Sequence, residues 1–261
     1  MGTGIVAALL DVGIDVDLVE TDRSAIERAN ERVLHLVESV YASQNPGELA
    51  VYTSFVESRS TPDMVVEAVP EIPELKSEVL AEAERVFEPA LLATNTSSIS
   101  VNTLAEGLRN PERLVGLHFF NPVHRMELIE LVVGARTSKE TVELGQELVA
   151  LLGKQPVTVS DSPGFASTRL GITLGLEAIR MLEEGVAAAE DIDRAMVLGY
   201  GHPVGPLRLT DAIGLDVRLN IARVMERAYG ERFRPPALLE TMVAEGRLGR
   251  KSGEGFYLWP N

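Results

Sequence analysis

The chain is expected to be an α/β protein, with a doubly wound parallel sheet over residues 1–161 and a smaller all-α domain over 162–261. Three observations predict this. Short apolar runs at 64–69, 90–94 and 114–120 are of the kind found in strands buried on both faces. Helix-like stretches separate them, and strand–helix alternation builds parallel sheets. Beyond the turn sequence Asp161-Ser162-Pro163-Gly164 the pattern changes, and residues 165–246 are mostly helix-like, interrupted mainly from Gly199 to Pro206.

The elements follow in order. Ile14 to Glu20 alternates like a strand, and Thr21 to Val40 carries a helical pattern. Met64–Val69, Ala90–Thr94 and Leu114–Phe120 supply the buried strands. Ser98 is expected to cap a helix. Thr137-Ser138-Lys139-Glu140 is a capping-box pattern opening a helix that Gly153 ends, and Pro156–Val159 makes a last strand. Apolar stripes on the C-terminal helices suit a homodimer face. There is no internal repeat.

Composition excludes several classes. With no cysteine among 261 residues, neither disulfides nor thiolate chemistry is available. His35, His118, His124 and His202 are scattered without metal-ligand spacing, so no metal is expected. A net charge of −15 argues against nucleic-acid and anionic-membrane partners. No apolar run is long enough to span a membrane and no basic segment opens the chain, which points to the cytoplasm.

The chemistry concentrates in Asn95-Thr96-Ser97-Ser98, the later run Gly116-Leu117-His118-Phe119-Phe120-Asn121-Pro122, and Glu130. An imidazole titrates near neutral pH and can take a proton from an alcohol and return it. A carboxylate on its far nitrogen fixes the tautomer, and a nearby hydroxyl orients the substrate oxygen. The set suits reversible oxidation of a secondary alcohol. Taken alone, His118 reads more readily as a core histidine with a satisfied hydrogen bond.

The segment NTSSISVNTLAEGLRNPERLVGLHFFNPVHRMELIELV resembles the signature of the L-3-hydroxyacyl-CoA dehydrogenase family. VVEAVPEIPELK (65–76), SPGFASTRL (162–170), GHPVGPLRLTDAIGLD (201–216) and GRKSGEGFY (249–257) resemble further family blocks in family order, so the likeness covers essentially the whole chain. It implies NAD as cofactor and a short-chain (S)-3-hydroxyacyl-CoA as substrate. His118 would then be the base that takes the 3-hydroxyl proton, with Glu130 stabilising the imidazolium. Twelve residues between them fit a strand, the Asn121-Pro122 turn and a returning strand. Ser97 would donate to the substrate oxygen and approach the nicotinamide, with Asn95 and Asn121 shaping the pocket floor. Glu71, Lys76 and Asn95 match cofactor contacts, and Lys251 a lysine that closes over the cofactor from the second domain.

The resemblance also implies a Rossmann-type first domain, whose fingerprint G-x-G-x-x-G follows the first strand. Here Met1-Gly2-Thr3-Gly4-Ile5 matches only its tail, with Gly2 as the last fingerprint glycine. The first strand has no counterpart. In the order 3-2-1-4-5-6 that strand is central, so its two neighbours should be left unpaired, and a natural start upstream of Met1 is expected. Glu20, ending the next strand, would bind the ribose hydroxyls and favour NAD over NADP, although Arg23 keeps NADP open.

Two departures bear on the substrate. Thr168 stands where many family members carry an asparagine that contacts the substrate. The segment 28–60 is short and has no lysine to hold coenzyme A, only Arg28, Arg32 and Arg59. Two alternatives therefore remain open: an NAD-dependent dehydrogenase of a free hydroxy acid or sugar acid, or a non-catalytic homologue.

Overall fold

In the computed structural model, which describes residues 1–58 and 60–260, the chain forms two compact units, Met1–Phe165 and Ala166–Asn261. Arg59 lies outside the described residues.

The first unit opens on α1 (Gly2–Asp11), whose residues 5–10 are all buried. One side of α1 packs Ile5, Ala8 and Leu9 against strand residues Leu91, Ala93 and Leu117. The other packs Val6, Ala7 and Leu10 against Val33 and Val37. Such tight seating explains Gly4, where an added Cβ would lie 2.9 Å from Val123 Cγ2.

Next, β1 (Val16–Val19) and β2 (Leu49–Tyr52) pair in parallel around α2 (Arg23–His35). Asp22 caps α2 by accepting from Ser24 N at 2.9 Å. The helical pattern expected to Val40 does continue, but residues Leu36–Tyr41 wind as a π-helix. Leu36, Val37 and Tyr41 still pack on α1, and apolar spacing alone does not report the change of winding.

The main sheet comprises β3 (Met64–Glu67), β4 (Leu91–Thr94), β5 (Leu114–Phe119), β6 (Leu128–Val133) and β7 (Gln155–Ser160), in that spatial order. Helices α3 (Pro73–Phe87), α4 (Val101–Ala105) and α5 (Lys139–Leu151) connect them. All neighbours are parallel except β5 and β6, which are antiparallel. The doubly wound parallel sheet thus carries one antiparallel pair, the strand and returning strand expected on either side of Asn121-Pro122, because the short link 120–127 can only turn the chain back. Among the described residues β1 pairs only with β2, and β3 only with β4, so the doubly wound sheet is in two pieces. Consistent with free edges, β1 is half-buried throughout whereas β4 and β5 are fully buried. Ser138 caps α5 by accepting from Thr141 N at 3.1 Å.

The second unit is helical: α6 (Ser167–Glu183), α7 (Ala189–Tyr200), α8 (Pro206–Ile213), α9 (Leu215–Tyr229) and α10 (Ala237–Ala244). Ile172, Leu176, Leu207, Leu215, Leu219 and Met242 form its core. Two buried aspartates bind the C-terminal tail. Asp211 accepts from Phe256 N, Tyr257 N and Trp259 Nε1 at 2.9, 2.9 and 2.8 Å. Asp193 takes Tyr257 Oη at 2.8 Å and the backbone of Leu207 and Arg208 at the start of α8. An added Cβ at Gly255 would collide with the Asp211 carboxylate, so part of the GEGF block serves tail packing. Asp211→Ala is expected to cost about 1–3 kcal/mol for each donor it leaves buried. Urea unfolding followed by the fluorescence of the single tryptophan checks this; an unchanged midpoint would refute it. Among the described residues no helix is long and apolar enough to cross a membrane.

Candidate active site

The antiparallel turn between β5 and β6 makes the central pair. His118 and Glu130, twelve residues apart, are direct cross-strand partners. Cross-strand residues share a face with Cβ atoms about 5 Å apart, within side-chain hydrogen-bonding reach. His118 Nδ1 lies 2.8 Å from Glu130 Oε2, with Glu130 fully buried and His118 6% exposed. A carboxylate accepting from Nδ1–H leaves the Nε2 lone pair free to receive a proton. The ring is walled by Phe120, 4.5 Å away centroid to centroid, and by Phe165 at 5.6 Å. Phe165 holds a left-handed backbone, φ +47°, fixed by its packing with Leu80, Val101 and Leu104. Neither phenylalanine was given a role from sequence, although both sit in quoted blocks.

Asn95, at the end of β4, accepts from Phe119 N at 2.9 Å and so ties the Ser97 loop to the strand bearing His118. That loop is gripped by Glu71. Its Oε1 accepts from Thr96 Oγ1 at 2.7 Å, from the backbone N–H of Ser97 and Ser98 at 2.9 Å each, and from Ser98 Oγ at 3.0 Å. Ser98 therefore binds Glu71 rather than capping a helix; Ser100 caps α4 by accepting from Thr103 N. The correction has a local cause, since Glu71 offers Ser98 an ionised acceptor.

Behind Glu71 stands an ion pair that the sequence did not announce. Lys76 is fully buried, with Nζ 2.8 and 3.1 Å from the two oxygens of Glu67, 3.1 Å from Val69 O and 3.6 Å from Glu71 Oε2. Glu67, 2% exposed, also accepts from Val69 N and Thr94 Oγ1 at 2.6 and 2.7 Å. Lys76 is thus no surface cation: its ammonium joins Glu67 to Glu71. The available signal was a carboxylate inside the apolar run 64–69, because acids inside a sheet are rarely buried unpaired.

Burial would push the Glu71 carboxyl up, but the Thr96 hydroxyl, the Lys76 charge and the Ser98 hydroxyl outweigh it and hold it below the ordinary value of 4.5. A depressed carboxyl adds stability that is complete above its unfolded value and lost as pH falls through the folded one. Glu71→Gln is expected to flatten the acid-unfolding profile below pH 4.5. Unfolding midpoints recorded across that range check it; a profile identical to that of the unaltered chain would contradict it.

The remaining residues take these positions. Gly2 begins α1, and Glu20 follows β1, where its Oε1 accepts from Asp22 N at 3.0 Å. Asn121 is exposed in a turn with a cis Asn121–Pro122 bond. Lys154 Nζ braces that turn by donating to Val123 O and Met126 O, each at 2.7 Å. In the second unit Thr168 lies half-buried in the first turn of α6, and Lys251 pairs with Asp216 at 2.5 Å.

The carboxyl ends of β1, β3, β4 and β5 lead into Glu20, Glu71, Ser97 and the residues after His118. Doubly wound sheets bind nucleotides along this edge. An acidic side chain after β1 and helix α1 starting at Gly2 fit NAD.

Comparison with known proteins agrees. The family model of the 3-hydroxyacyl-CoA dehydrogenase NAD binding domain matches residues 1–162, and that of its C-terminal domain residues 164–259. A 3-hydroxybutyryl-CoA dehydrogenase of Mycobacterium tuberculosis is 39% identical over 99% of this chain and 95% of its own. One of Clostridioides difficile is 38% identical over 98% of this chain and 95% of its own. The crystal structure of (S)-3-hydroxybutyryl-CoA dehydrogenase from Ralstonia eutropha superposes with a TM-score of 0.92 at 37% identity, covering 100% of this chain and 96% of that one. With the fold, the His118–Glu130 pair and both family models in agreement, the chain belongs to the 3-hydroxyacyl-CoA dehydrogenase family.

Proposed function

We propose that the protein interconverts short-chain (S)-3-hydroxyacyl-CoA and 3-oxoacyl-CoA with NAD(H). The observation that carries this reading is the buried His118–Glu130 pair, 2.8 Å apart on neighbouring strands. His118 Nε2 takes the 3-hydroxyl proton, and the reverse reaction returns it. Glu130 holds the ring in the receptive tautomer and stabilises the imidazolium. Ser97 Oγ donates to the substrate oxygen from the loop that Glu71 anchors. NAD, when bound, accepts the hydride from C3. Glu20 holds the ribose hydroxyls and Glu71 serves the nicotinamide end, with Lys76, fully buried, fixing the Glu71 carboxylate rather than touching the cofactor; the family resemblance assigns Lys251 to the cofactor as well. Asn95 and Asn121 shape the pocket floor, and the family resemblance assigns Thr168 to the substrate.

The reading extends to fatty acid β-oxidation in the cytoplasm and to a homodimer through the C-terminal domain, 162–261. Exposed apolar residues in that domain, Leu170, Leu198 and Tyr200 at 72%, 74% and 79%, support the dimer. A second reading, oxidation of a free hydroxy acid or sugar acid, is favoured by the lysine-free segment before Lys76. Comparing turnover of 3-hydroxybutyryl-CoA with free 3-hydroxybutyrate and L-gulonate separates the two. The first reading expects turnover of the thioester only; turnover of either free acid alone overturns it.

A further inference from the structure

The loop that carries Ser97 hangs on two acids. Glu67, the last residue of β3, takes its first half: Glu67 O accepts from Asn95 N at 2.8 Å, and Glu67 Oε2 from Thr94 Oγ1 at 2.7 Å. Glu71 takes the second half, accepting from Thr96, Ser97 and Ser98. Ser97 is exposed and bound through its backbone N–H, so Glu71 fixes it without engaging its hydroxyl. The two acids differ in burial. The Glu67 side chain is fully buried, whereas that of Glu71 is 37% exposed. A carboxylate open to water to that degree loses side-chain entropy when held in one geometry, and needs an anchor.

That anchor is Lys76, and what fixes Lys76 is Glu67. The Lys76 ammonium has three N–H bonds to give. Two reach the Glu67 carboxylate, at 2.8 and 3.1 Å, and one reaches Val69 O, at 3.1 Å. Glu71 Oε2, at 3.6 Å, is therefore held by the charge of an ammonium whose place Glu67 has set. The direct route through Thr94 and Asn95 and the relayed route through Lys76 and Glu71 converge on the segment 94–98. We propose that Glu67 is a positioning residue for the reaction: through Thr94, Asn95 and the Lys76–Glu71 relay it aims the Ser97 hydroxyl at the substrate oxygen. The inference rests on the proposed function, which gives Ser97 that oxygen, and it adds a kinetic role to a residue otherwise read as structural. The groups on the Glu67 carboxylate, Val69 N, Lys76 Nζ and Thr94 Oγ1, are all donors. The amide of Glu67→Gln must therefore turn its own N–H groups on one of them, disturbing the segment without changing the side chain's size.

A donor aimed at an oxygen that gains charge in the transition state acts on kcat, and losing one costs about 10²–10³-fold. Misplacing such a group by about 1 Å can cost about 10²-fold. Glu67→Gln is expected to lower kcat for acetoacetyl-CoA reduction by about tenfold or more, with KM for acetoacetyl-CoA within about threefold of the unaltered value. The deciding measurement is a double-mutant cycle with Ser97→Ala. Adding Glu67→Gln to Ser97→Ala should lower kcat by less than about twofold further, because the group that Glu67 aims is already gone. A loss as large in the Ser97→Ala background as in the unaltered one, or a Glu67→Gln kcat within about twofold of the unaltered protein, overturns the inference. Urea unfolding accompanies every variant. Should Glu67→Gln not fold, Glu67→Gln joined to Lys76→Met removes both buried charges and enters the same cycle with the same expected outcome. Turnover of acetoacetyl-CoA by the unaltered protein separates the two levels. If it proceeds and the cycle is additive, only this inference fails; if no acyl-CoA is turned over, the proposed function fails and the inference with it.

Discussion

Replacing His118 with glutamine is expected to lower turnover by about 10²–10⁴-fold, the range that general acid–base catalysis contributes, while leaving cofactor affinity nearly intact. Glutamine matches the ring in reach and can still donate to Glu130, so the β5–β6 pairing and the Phe120 and Phe165 walls persist. What disappears is a group that accepts a proton near neutral pH. Steady-state rates with short-chain 3-hydroxyacyl-CoA, set beside NADH binding measured by fluorescence, check the split. Equal losses in both would make His118 a packing residue instead.

The largest expected effect on stability is at Lys76. Lys76→Met keeps the stem and removes the ammonium that joins Glu67 to Glu71. Glu67 is then an uncompensated carboxylate 2% exposed within the sheet. Breaking one partner of a buried pair costs about 3–5 kcal/mol. Urea unfolding should show that loss, and Glu67→Gln added to Lys76→Met should recover part of it, because the orphaned charge is gone. A loss under about 1 kcal/mol would place the pair in a far more hydrated setting than its burial indicates.

The legible parts of this protein were those in which one residue type has one use. Short, mostly apolar runs predicted β3, β4 and β5 within a residue or two, because strands covered on both faces admit few polar residues. His118 and Glu130 were readable as a pair because a turn sequence sits between them at the right spacing. The winding of residues Leu36–Tyr41 was not, since apolar residues pack on α1 in either geometry. Glu67 and Lys76 lie nine residues apart on a strand and a helix, and only the return of α3 over β3 brings them together. The same holds for Glu71 and Ser98: a serine before a helix reads as a cap until a carboxylate from another segment claims it.

The central claim is that His118, oriented by Glu130, exchanges the substrate's hydroxyl proton during NAD-linked reduction and oxidation of a short-chain acyl-CoA. The most direct measurement is NADH oxidation with acetoacetyl-CoA, run on the protein and on Glu130→Gln and His118→Gln side by side. The account predicts acetoacetyl-CoA-dependent consumption of NADH by the unaltered protein, falling by about 10²-fold or more in His118→Gln and by a smaller factor in Glu130→Gln. No acetoacetyl-CoA-dependent consumption, or equal rates in all three, would contradict it.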